Sequence, residues 1–133
     1  MTTKREQERR ARMFRALEMN GIGGDDAQAL RRVSMTLNRW HELECGSEYG
    51  YIERDEVTGK TFSVNPRTGK RYPTPDRETG ALRRLKKIMA KYPTLSAYVQ
   101  TDPRGAALYI LRPGDVPAGE DADSYYNRGI AVY

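Results

Sequence analysis

The sequence predicts an α+β fold: an N-terminal helical hairpin and a third helix packed on a small antiparallel sheet. Three observations carry this expectation. Apolar residues recur at helical spacing between Met13 and Trp40 and again between Leu82 and Tyr92. Two runs that fit strands, Ser96 to Thr101 and Ala106 to Arg112, flank Asp102-Pro103-Arg104-Gly105, whose residue types fit a type I turn and so a β-hairpin. No polar or Gly/Pro-rich stretch is long enough to divide the 133 residues, so residues 1–133 read as one domain with residues 1–10 as a frayed start.

The first helix is expected from Thr3 to about Asn20. Thr3 and Glu6 have the spacing of a capping box, Met13, Phe14 and Leu17 form a short apolar stripe, and Asn20-Gly21 is a stop signal. Six basic and three acidic residues share this segment. Mixed charge at helical spacing is the pattern of a solvated face, and the alternative is a basic arm for phosphate or an acidic partner. After the turn at residues 21–24, Asp25 is expected to cap a second helix with Gln28 at its third position. Ala27, Leu30, Val33, Leu37 and Trp40 form its buried stripe, as far as about Glu44. The short connection makes the two helices antiparallel neighbours.

Residues 46–75 are rich in turns and contain an internal echo. Val57-Thr58-Gly59-Lys60-Thr61-Phe62 parallels Arg67-Thr68-Gly69-Lys70-Arg71-Tyr72, each copy placing Gly at a turn and an aromatic residue two positions after Lys. The plain reading is two tight turns joining short strands over Tyr49 to Glu53, Lys60 to Val64 and Lys70 to Tyr72, or else an irregular excursion. Thr74-Pro75-Asp76 then reads as a helix start with Thr74 as cap. Leu82, Leu85, Ile88, Met89 and Tyr92 make the apolar face of this third helix, and Pro93 stops it. After the hairpin and an acid-containing loop over residues 113–123, Tyr125 to Tyr133 is expected as a third strand.

The totals bound the function classes. A net charge of +5 and a pI near 9.4 permit attraction to nucleic acid, anionic membrane or an acidic protein. The single cysteine, Cys45, excludes an internal disulfide and fits a reducing cytoplasm. The charged N-terminal residues are not followed by the apolar core of a signal peptide, and no apolar run approaches a membrane span.

Candidate chemical motifs fail on spacing. Gly59-Lys60-Thr61 resembles the end of a phosphate-binding loop, but the position that needs the first glycine is Arg54. His41 and Cys45 share a helical face, yet two ligands make no metal site and the chain has no other His or Cys. Arg104 to Leu111 lacks the stacking aromatics of an RNA-recognition strand. Glu120, Asp121 and Asp123 lack the spacing of a calcium loop and read as a solvated acidic loop. The expectation is therefore a non-enzymatic protein with no cofactor and no metal. The most informative feature is the third helix, where Arg83, Arg84, Lys86, Lys87 and Lys91 occur between residues 82 and 92 with no acid. Such a face can bind phosphates or dock an acidic protein, or it can be solvated surface.

Several stretches resemble a set of uncharacterised small proteins of temperate phages and prophages of proteobacteria. They are Leu37 to Gly46, Gly80 to Leu85, Ala97 to Val116 and the Ser124 to Tyr133 tail. The resemblance implies a phage accessory protein acting in the bacterial host cytoplasm, of a kind that includes anti-defence and anti-CRISPR inhibitors. The expected partner is accordingly a bacterial protein or ribonucleoprotein complex, with no membrane, and Arg83, Arg84, Lys86, Lys87 and Lys91 are the expected contact face. The alternatives are direct DNA or RNA binding through the same face, and sequestration of a nucleotide signal in an Arg- and Tyr-lined pocket.

Overall fold

The structure is a computed structural model and describes residues 2–102 and 105–133. Its elements are α1 (Lys4–Met19), α2 (Gly24–Cys45), β1 (Tyr51–Arg54), β2 (Thr61–Val64), β3 (Arg71–Pro73), α3 (Arg77–Met89), β4 (Ser96–Asp102), β5 (Gly105–Leu111) and β6 (Ile130–Val132). The strands form two antiparallel meanders, β1-β2-β3 and β4-β5-β6. The fold class is α+β, with two small sheets where the sequence led us to expect one.

The helix α1 starts on the expected capping box: the Thr3 hydroxyl accepts the Glu6 N–H at 3.1 Å and the Glu6 carboxylate accepts the Thr3 N–H at 3.2 Å. Met13 and Leu17 enter the core, and Phe14 packs against it. The turn to α2 is itself part of the core, because Ile22 is buried within it.

The start of α2 differs from expectation. Gly23 is the N-cap and makes no side-chain capping bond, while Asp25 and Asp26 occupy the first turn, where their charge suits the helix dipole. Asp26 is used at long range. It accepts from the Tyr92 hydroxyl and pairs with Lys91 Nζ at 3.0 Å, and the same hydroxyl accepts the Gly23 N–H at 3.3 Å. These bonds tie the chain just beyond α3 to the first turn of α2. They hold the Asp26 carboxyl below the usual carboxylate range, the Tyr92 hydroxyl contributing most and Lys91 next.

One face of the β4-β5-β6 sheet builds the core. Paired residues Val99, Leu108 and Val132, and next to them Ala97, Ile110 and Ile130, meet Leu30, Val33 and Leu37 of α2. Ser34, buried on the same helix, donates to the Val132 carbonyl at 2.5 Å. The opposite sheet face carries Tyr98 beside Tyr109. Tyr126 covers both, stacked on Tyr98 at 5.2 Å and edge-on to Tyr109 at 5.0 Å. To reach them, Ala122–Ser124 and Tyr126–Arg128 wind as 3-10 turns, so the strand expected from Tyr125 begins only at Ile130. The hairpin pairs Asp102 with Gly105, and the expected turn residues Pro103 and Arg104 lie outside the described residues.

The β1-β2-β3 meander resolves the turn-rich region as a sheet. Its two hairpin loops are copies. Asp55 N–H donates to the Lys60 carbonyl at 2.8 Å and Gly59 N–H to the Asp55 carbonyl at 2.8 Å. Asn65 with Lys70, and Gly69 with Asn65, repeat these bonds at 2.9 and 2.8 Å. In each loop the Asp55 or Asn65 side chain accepts a backbone N–H two residues on. The α3 helix is capped by Asp76, which accepts from Thr79 N–H, and not by Thr74. Thr74 instead serves the meander: its carbonyl accepts from the Thr61 hydroxyl and its Oγ1 accepts the Ser63 N–H at 3.1 Å. Ala81, Leu85 and Ile88 form the buried face of α3, while Leu82, expected among them, is 41% exposed.

Candidate binding surface on the third helix

The α3 helix buries Ala81, Leu85 and Ile88, so the residues between them point outward. At about 100° per residue, Arg83, Arg84 and Lys87 fall on one exposed stripe, with Lys86 on its flank. All four are exposed, and none has an ion-pair partner among the described residues. Lys91 belongs elsewhere. It lies beyond the helix and is engaged with Asp26, so the structure brings four of the five expected cations together and gives the fifth a role in joining α2 to the end of α3.

Two of the four cations have a local role. Lys86 and Lys87 occupy the last turn of α3, where positive charge stabilises the negative end of the helix. Arg83 and Arg84 lie mid-helix and have no such duty. A guanidinium presents several N–H donors in a rigid fork, which suits carboxylate or phosphate oxygens on a docking partner.

Other sequence candidates resolve as structure. His41 Nε2 lies 2.5 Å from the Asp102 carbonyl oxygen, an acceptor only, so that nitrogen carries a hydrogen. Cys45 is exposed, and no group of three His, Cys, Asp or Glu side chains capable of holding a metal occurs among the described residues. Among the acidic loop residues, Asp123 accepts from the Tyr98 hydroxyl, which pushes the Tyr98 phenol up to about 12. Glu78 and His41 line a small cleft of about 220 Å³ with Leu37 and Val99. Burial raises the Glu78 carboxyl, and Glu44 and Asp76 add to the rise.

Sequence reasoning missed a second cluster of cations. Arg32, Arg39 and Arg77 line one cleft of about 500 Å³ between α2 and the β1-β2-β3 sheet. The available signal was the spacing of Arg32, Met35, Thr36, Arg39 and Leu43, which places them on a single stripe of α2 opposite its core face.

No protein-family model, no curated protein and no solved structure matches the chain. Among the described residues, no helix is long and apolar enough to cross a membrane.

Proposed function

We propose that this chain is a non-enzymatic binding protein that inhibits a bacterial defence or nucleic-acid-handling complex, docking through the basic stripe of α3. In this reading it is a phage-type accessory protein at work in the host cytoplasm. The observation that carries the proposal is the set of exposed cations Arg83, Arg84, Lys86 and Lys87 on one rigid helix, without carboxylate partners among the described residues. A helix anchored to the core by Leu85 and Ile88 presents these groups at fixed spacing, which limits the ordering cost of association.

The test is affinity capture from bacterial lysate, with and without nuclease, using the intact chain and an Arg84→Glu/Lys87→Glu variant of unchanged circular dichroism. The expected result is a discrete protein complex that survives nuclease and is lost with the charge-reversed chain. Capture unaffected by charge reversal would overturn the assignment of the face. A second reading, direct DNA or RNA binding, is supported by the further basic residues of α1, all exposed or half-buried. It predicts nuclease-sensitive capture and an affinity falling steeply with salt.

A further inference from the structure

We propose that the cleft between the outer stripe of α2 and the β1-β2-β3 sheet binds a nucleotide, its phosphates held by Arg32, Arg39 and Arg77 and its base lying toward Tyr72. Its volume, about 500 Å³, falls within the range of small-ligand sites. The lining combines two chemistries. Met35 and Leu43 supply apolar surface over the buried Trp40, and three arginines line the cleft from α2 and from the first residue of α3.

The charge lining the cleft is one-sided. No Asp or Glu lines it, and Arg32, Arg39 and Arg77 have no ion-pair partner among the described residues. Asp76, adjacent in sequence to Arg77, is paired with Arg54 at 2.9 Å, and Glu44 accepts the Trp40 indole N–H at 2.6 Å. Both carboxylates are thus committed to other partners. Three like charges facing one concavity repel one another, and a ligand with two or more negative charges relieves that repulsion. Forked guanidinium donors match phosphate oxygens in particular.

The aromatic part follows from the sheet register. Ser63, which lines the cleft, pairs across the strands with Tyr72 on the same sheet face. Tyr72 is 56% exposed and borders an adjoining depression that shares Leu43 and Ser63 with the cleft. Tyr49 and Tyr51, also exposed, line that depression as well. A flat base extending from the arginines therefore meets exposed tyrosine on the same wall, and base–aromatic stacking is favourable for any base.

The test is calorimetric titration of the full chain with ATP, GTP, a cyclic purine dinucleotide and inorganic pyrophosphate at physiological ionic strength. The expected result is saturable binding of at least one nucleotide, weakened about tenfold or more by Arg39→Gln or Arg77→Gln, as expected for loss of a charge-assisted contact. Arg84→Glu/Lys87→Glu should leave it unchanged, which separates this site from the α3 surface. Tyr72→Ala should narrow the preference for nucleotide over pyrophosphate. The targeted side chains are exposed, and circular dichroism verifies each fold. Absence of saturable heat with every nucleotide, or equal weakening by the α3 charge reversal, would overturn the site. Pyrophosphate binding as tightly as ATP would overturn the placement of the base.

Discussion

The two three-stranded meanders share a topology and differ in what holds them. In β4-β5-β6 the strands have seven, seven and three residues, one face is buried against α2, and Tyr126 covers the other. In β1-β2-β3 the strands have four, four and three residues, and only Thr61 and Val64 are buried. The first sheet is specified by apolar burial. The second is specified by its loops, by the Thr61, Ser63 and Thr74 hydrogen bonds and by exposed contacts such as Arg71 stacked over Phe62 at 4.4 Å. A sheet of the second kind leaves its side chains available for binding, and that is where the arginine cleft and the exposed tyrosines occur.

The largest expected contrast comes from core truncation. Leu108→Ala should cost about 2–5 kcal/mol and lower the midpoint of global unfolding, because the residue is fully enclosed. Val64→Ala should cost less than about 2 kcal/mol, because fewer buried groups are lost. Its effect should appear as faster amide exchange within β1-β2-β3 while β4 and β5 stay protected. Equal loss of protection in both sheets would show that the two meanders unfold as one unit.

A smaller effect sharpens the account of the second sheet. Gly59 and Gly69 have φ of +73° and +71°, and nothing lies within 4 Å of a Cβ added at either. Alanine there meets only backbone strain, about 1–2 kcal/mol, and the two losses should agree closely. Exchange of the Asp55 and Asn65 amides, which close the loops, reads each one separately. Unequal losses would break the equivalence of the loops.

The smallest effect concerns the covered face of the first sheet. The Tyr98 hydroxyl donates to Asp123 only while protonated, and its folded pKa of about 12 exceeds the unfolded value near 10. This contribution is therefore complete below about pH 10 and is lost as pH rises through about 12. Asp123→Asn should return the Tyr98 ring titration, followed by carbon-13 NMR, toward 10. An unchanged titration would show that Asp123 does not hold the ring.

Legibility in the sequence follows the same division. Elements made by burial or capping were readable: the Thr3–Glu6 box, the stripe from Ala27 to Trp40 and the long hairpin strands all carry a periodic signal. Errors fell where a polar side chain has a distant partner. Asp25 had the spacing of a cap, but the chain enters α2 at Gly23, beside the bonds that Asp26 and Tyr92 make. Thr74 looked like a cap because nothing local reveals its bonds to Thr61 and Ser63. The tail from Tyr125 looked like a strand, and the stacking of Tyr126 on Tyr98 keeps its first half coiled. The stripe of α3 was readable as a run of cations, but the engagement of Lys91 was not. The Arg32, Arg39 and Arg77 cleft was not readable, since it joins one helix to a residue 38 positions beyond Arg39.

The duplicated loops have a consequence for how freely this protein can change. A strand pair normally relies on its own inward and outward residues to fix alignment, so a substitution on either face risks a slip by one position. Here the alignment of β1, β2 and β3 is encoded at the bends, twice and in the same six-residue frame. Apart from Thr61 and Ser63, which bond to Thr74, the strand residues between the bends are thereby released from that duty, and selection can rewrite their side chains to suit a new ligand without first reinventing the scaffold.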